Sequence, residues 1–121
     1  MKFELAWDVK ELVKDIVEKL GLNHINLARL RCVRSYGSRS KAYARVWGLP
    51  KVFQKALGLK PYYVIEVLHE RFDKLSKDEK IKVLIHELLH IPKKFSGGLR
   101  SHYYLHEQAV EKLFKKYKGK E

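Results

Sequence analysis

Residues 76–92 commit to a helix more firmly than any other stretch of the chain. Ser76-Lys77-Asp78-Glu79 has the S-x-x-E form of a capping box, in which hydroxyl and carboxylate each satisfy a backbone N–H left free by the first turn. Ile81, Leu84, Ile85, Leu88 and Leu89 follow at spacings of three and four, so one side of the helix is an apolar stripe. Pro92 lacks an N–H and clashes with the preceding turn, which stops the helix there. The rest of the chain has to pack around this element.

The flanking periodicities describe what packs. From Trp7 to Leu20, Val9, Leu12, Val13, Ile16, Val17 and Leu20 predict an amphipathic helix, stopped by Gly21. After Ile25 the period changes to two. Ala28, Leu30 and Cys32 alternate with Arg29, Arg31 and Val33, and Ala42, Ala44 and Val46 alternate with Tyr43, Arg45 and Trp47. Tyr36-Gly37-Ser38-Arg39-Ser40 between them has turn chemistry, so the two strands are expected to form an antiparallel hairpin. Pro50 suits the first turn of a short helix, 51–57, ended by Gly58. Residues 62–68, rich in β-branched and aromatic side chains, predict a third strand. A loop over 92–101 containing Gly97-Gly98 precedes a last helix over 103–117. The expected order is α-β-β-α-β-α-loop-α, an α+β chain. At 121 residues and 45% hydrophobic, with no repeat or linker, it suits a single domain spanning 1–121.

Chemistry concentrates on the capped helix. His86-Glu87-Leu88-Leu89-His90 is an H-E-x-x-H motif. Side chains four apart lie one above the other on a helix, so both imidazoles reach one ion. Zinc accepts neutral imidazole nitrogen and, in a catalytic site, takes three protein ligands plus water. Glu87, next around the helix, is placed to take a proton from that water and pass it to a leaving amine. For the third ligand, His102 is favoured, since Pro92 and Gly97-Gly98 let the chain return; His106, Glu107 and Glu111 are the alternatives. Arg100 and Tyr103 flank His102 and are the candidate donors to an oxyanion. His24, His69, Glu66 and Glu70 stand outside this set and read as structural or surface groups, Glu70 being the one considered for orienting a ligand histidine.

The residues also carry a family resemblance. Val64-Ile65-Glu66-Val67, Phe72-Asp73, His86-Glu87-Leu88-Leu89-His90-Ile91-Pro92, Phe95-Ser96-Gly97-Gly98-Leu99 and His102, with Ala44-Arg45-Val46-Trp47-Gly48-Leu49-Pro50 upstream, resemble a metallopeptidase family of archaea and phages that is distantly similar to SprT-like zinc proteases. The resemblance covers residues 63–111 closely. It implies a minimal zincin-like fold, a small mainly antiparallel sheet packed on the H-E-x-x-H helix. It also implies one zinc ion on His86, His90 and His102, with Glu87 as the catalytic residue. The metzincin pattern is excluded, because Lys93 stands where its glycine belongs and Ser96 where its third histidine belongs.

Charge bounds the partners. Lys and Arg number 26 against 14 Asp and Glu, a formal charge of +12, which draws nucleic acid, anionic lipid or acidic protein toward the chain. Arg29, Arg31 and Arg45, with Tyr43 and Trp47, are the candidate nucleic-acid contacts; the competing reading packs Tyr43 and Trp47 under the first helix. Beside a zinc peptidase acting on peptide or protein, the alternatives are a YbeY-like metal-dependent nuclease and a non-catalytic basic nucleic-acid-binding module. Glu87 in the base position favours peptide hydrolysis, since the YbeY motif resembles H-G-x-x-H there. Cys32 is the lone cysteine, which excludes an intrachain disulfide and a thiolate cluster, and it reads as a buried inert thiol. The acidic N-terminus is unlike a signal peptide, and no apolar run approaches the roughly 20 residues needed to span a bilayer. The expectation is a soluble cytoplasmic protein.

Overall fold

The structure, a computed structural model, describes residues 1–101 and 106–121. In chain order the elements are β1 (Lys2–Leu5), α1 (Trp7–Leu20), β2 (Leu30–Tyr36), β3 (Ala44–Gly48), α2 (Lys51–Leu57), β4 (Tyr63–Leu68), α3 (His69–Phe72), α4 (Lys77–Leu89) and α5 (His106–Lys118), with a 3-10 turn at Leu27–Arg29. The sheet runs β1-β2-β4-β3, with β1–β2 and β4–β3 antiparallel and β2–β4 parallel. The fold is α+β, with a mixed sheet. Helices α1 and α4 pack on one face of it, and α5 lies against both helices.

β2 and β3 do not form the expected hairpin, because β4 lies between them. The reason is burial. Tyr63, Ile65, Glu66, Val67 and Leu68 of β4 are all buried, so this strand needs neighbours and cover on both faces. β2 and β3 alternate buried and accessible positions and suit the flanks. β1 and α3 add to the expected order. β1 escapes pattern reading because it is four residues long and all of them are exposed.

The helix-facing side of the sheet is apolar. Leu30, Cys32, Val46, Ile65 and Val67 meet Val13, Ile16, Leu84, Ile85 and Leu88 in one core. Burial pushes the Cys32 thiol up to about 12, so it stays protonated and inert. The opposite face is more open: Arg31 and Trp47 are exposed there, whereas Glu66 and Leu68 are buried. The register places Leu5, Val33, Glu66 and Arg45 in one row and Arg31, Val64 and Trp47 in the next. Tyr43 and Trp47 are 40% and 53% exposed and do not pack under α1.

Glu66, 1% exposed, is the polar exception in β4. Arg45 donates to it from Nε and Nη2 (3.0 and 3.2 Å), and Trp47 Nε1 donates at 2.8 Å. Burial opposes ionisation, but these bonds outweigh it and hold the carboxyl below its usual range. One carboxylate thus ties β3, an edge strand, to the sheet centre.

The anticipated capping box is complete: Glu79 N donates to Ser76 Oγ (3.2 Å) and Ser76 N to Glu79 Oε1 (2.9 Å). Ser76→Ala is expected to cost about 1 kcal/mol of folding stability. Urea unfolding of the two proteins measures it, and an unchanged midpoint would contradict a role for the cap.

Candidate metal centre

His86 lies in the last turn of α4 and His90 is its C-cap, still helical at φ −72° and ψ −18°. The two side chains therefore stack one turn apart. Their Nε2 atoms are 3.3 Å apart, with ring planes inclined at 70°. Two nitrogens each about 2.0–2.1 Å from one tetrahedral ion would be separated by about 3.3–3.4 Å. The observed separation matches that spacing.

The tautomer of His90 also fits. Its Nδ1 is 2.6 Å from the Arg100 carbonyl oxygen, which can only accept, so Nδ1 is the donor. A neutral imidazole with Nδ1 protonated presents the Nε2 lone pair, the form a metal requires. In return, Arg100 N donates to the His90 carbonyl at 2.7 Å. The loop after α4 thus folds back onto the histidine it follows. His24 adds a bond to the Ile91 backbone.

Glu87 sits beside this pair, 7% exposed, with Oε2 4.0 Å from His86 Nε2. Burial pushes its carboxyl up to about 8. A bound cation would act in the opposite direction, since positive charge favours the carboxylate. The three side chains open into a cleft of about 1060 Å³, with Ala44, Arg45 and Val46 of β3 on one wall and Glu107 and Glu111 of α5 on another.

Among the described residues no group of three His, Cys, Asp or Glu is placed to hold an ion. His102 and Tyr103 lie outside the described residues, as does the side chain of His106. Of the carboxylate alternatives, Glu111 pairs with Lys82 at 3.0 Å, and Glu107 borders the cleft. Arg100 is exposed and also borders it. Glu70 is remote from the pair in its bonding, accepting from Gly37 N at 2.8 Å, and His69 is held by Asp73. Of the three arginines, Arg31 and Arg45 share a sheet face, in adjacent rows across β4. Arg29 lies over the Phe95 ring, Arg45 is engaged by Glu66, and Arg31 is exposed on the open sheet face.

Sequence reasoning did not anticipate the Arg100 carbonyl, because any residue type supplies one. Gly97-Gly98 was the only available signal that backbone approaches closely there.

A family model described as "Putative phage metallopeptidase" matches residues 1–118. The chain belongs to that family. The family's description suggests a metal-dependent hydrolase acting on peptide or protein. No curated protein and no solved structure is significantly similar to it. No described helix is long and apolar enough to cross a membrane.

The raised Glu87 value makes metal-free stability depend on pH. Between the ordinary 4.5 and about 8, the folded chain retains a proton that the unfolded chain has lost. Stability therefore falls as pH rises through that window. Glu87→Gln cannot ionise, so it should be more stable than the parent at about pH 8 and similar at about pH 4. The gap should reach a few kcal/mol, at about 1.4 kcal/mol per pKa unit. Thermal unfolding in chelator across that range tests this, and a gap independent of pH would contradict it.

Proposed function

We propose that the chain is a zinc-dependent peptidase of zincin-like design, with one ion held by His86, His90 and His102 and with Glu87 as general base. The observation that carries the proposal is the 3.3 Å separation of the Nε2 atoms, with His90 committed by the Arg100 carbonyl to the tautomer a metal needs. When bound, zinc supplies Lewis-acid activation of water and of a carbonyl. Glu87 takes the proton from the attacking water and returns it to the departing amine. Its buried position beside His86 supports the role. Arg100, on the cleft border, and Tyr103 remain the proposed oxyanion donors.

The substrate chain is proposed to lie along β3. This is an edge strand, paired with β4 on one side only, and it borders the cleft that holds His86 and Glu87. An extended peptide can add its main chain to such an edge as a further strand. The Glu66 clamp keeps that edge in register with the sheet. Nucleic acid has weaker support as a partner, because the Arg45 charge is met by Glu66 and Arg29 stacks on Phe95.

Metal analysis and hydrolysis of casein test the proposal together. The parent is expected to carry about one zinc per chain and to lose activity in chelator. Glu87→Gln is expected to keep the ion and lose activity by about 10²–10⁴-fold. Normal hydrolysis by a zinc-loaded Glu87→Gln would defeat the mechanism. His102→Ala should lose the zinc; unchanged zinc would move the third ligand to His106, Glu107 or Glu111.

A further inference from the structure

The loop that holds His90 is itself held at a distance from the cleft. Tyr63, at the start of β4, is fully buried, and its hydroxyl sits inside the turn at Gly97-Gly98. The hydroxyl accepts from Gly97 N at 2.7 Å and donates to the Gly98 carbonyl at 2.7 Å. One side chain thus satisfies a donor and an acceptor that the turn leaves unpaired. Its ring packs edge-on against Phe95, whose φ of 48° is left-handed and unusual for a side chain of that size.

A second anchor comes from α2. Gln54 Nε2 donates to the Leu49 and Ser96 carbonyls at 2.8 and 2.9 Å, joining the loop to the end of β3. The backbones are in contact there. A Cβ at Gly48 would stand 2.0 Å from the Gly97 carbonyl oxygen, and one at Gly97, with φ 101°, would stand 2.3 Å from the Leu49 oxygen. Only glycine allows that approach. Two residues beyond Gly98, the Arg100 carbonyl meets His90 Nδ1.

We propose that Tyr63 is a positioning residue for His90. By fixing the Gly97-Gly98 turn, its hydroxyl fixes the Arg100 carbonyl, which in turn sets the tautomer and orientation of the imidazole. Gln54 supports the same turn. The proposal rests on the reading of His90 as a zinc ligand, and its significance is that metal affinity is set partly by a sheet residue whose hydroxyl bonds to the Gly97-Gly98 turn. Groups that orient metal-bound imidazoles commonly change affinity by about 10–100-fold when removed.

The test compares the parent with Tyr63→Phe and Tyr117→Phe. Tyr117 is equally buried, but its hydroxyl bonds to Asp15 between α1 and α5, outside the loop. Zinc affinity is read by competition with a chromophoric chelator. In the metal-free protein, solvent exchange of the His90 Nδ1 proton is followed by NMR. Tyr63→Phe is expected to weaken zinc binding by about 10-fold and to speed that exchange, with Tyr117→Phe matching the parent in both. Parent-like affinity and exchange in Tyr63→Phe would overturn the proposal, as would an equal loss in Tyr117→Phe. If Tyr63→Phe does not fold, Gln54→Ala takes its place, with a smaller change in the same direction expected and parent-like values overturning the proposal. A parent that binds no zinc would refute the metal reading instead, and the exchange measurement would still decide whether Tyr63 positions His90.

Discussion

Two imidazoles can share an ion only if both present the same nitrogen at a separation that the ion can bridge. A helix meets the spacing requirement, because positions four apart lie on one side and about one turn along. It does not meet the requirement on orientation, since an imidazole rotates about its side-chain bonds and has two tautomers. At His90 the orientation comes from outside the helix, through the Arg100 carbonyl. Pro92 ends α4, Phe95 and Gly97 turn the chain with positive φ, and residue 100 returns to residue 90. The architecture around α4 serves that return.

The sheet contributes in two places. β4 is buried on both faces and stands between β2 and β3, which carries Tyr63 to the loop and Glu66 to the edge strand. β3 is thereby fixed along the same cleft as Glu87. Keeping a carboxyl such as Glu87 in an apolar setting is costly when ionised. Such a group is more often found where chemistry needs it than where stability does. The Glu66 carboxyl is the contrasting case: equally buried, but paired, and held ionised.

The local elements were legible because they rest on local physics. α1, α2, β4 and α4 lie where periodicity, the capping box, Pro50, Gly58 and Pro92 place them. The H-E-x-x-H spacing anticipated that His86, Glu87 and His90 would come together, since this needs only a helix. Strand order was not legible from alternation, which reports a half-buried face and says nothing of which strand is the neighbour. A hint was present, as Val64-Ile65-Glu66-Val67-Leu68 is nearly continuous in apolar character and reads as a central strand. β1 left no trace because Phe3 and Leu5 point to the open face, 57% and 59% exposed. The surroundings of two candidate arginines were not legible for a related reason. Arg29 falls in the 3-10 turn before β2, and Arg45 is drawn to a glutamate on a strand that was not expected beside it. The contact most important to the site is made by a backbone carbonyl, which no residue type can signal.

X-ray absorption at the zinc edge of the purified protein tests the central claim most directly. The account predicts a nitrogen- and oxygen-only shell at about 2.0–2.1 Å with the multiple-scattering signature of imidazole, and it predicts that His90→Ala weakens that signature or releases the metal. A protein that takes up no zinc, or a spectrum unchanged by His90→Ala, would contradict it.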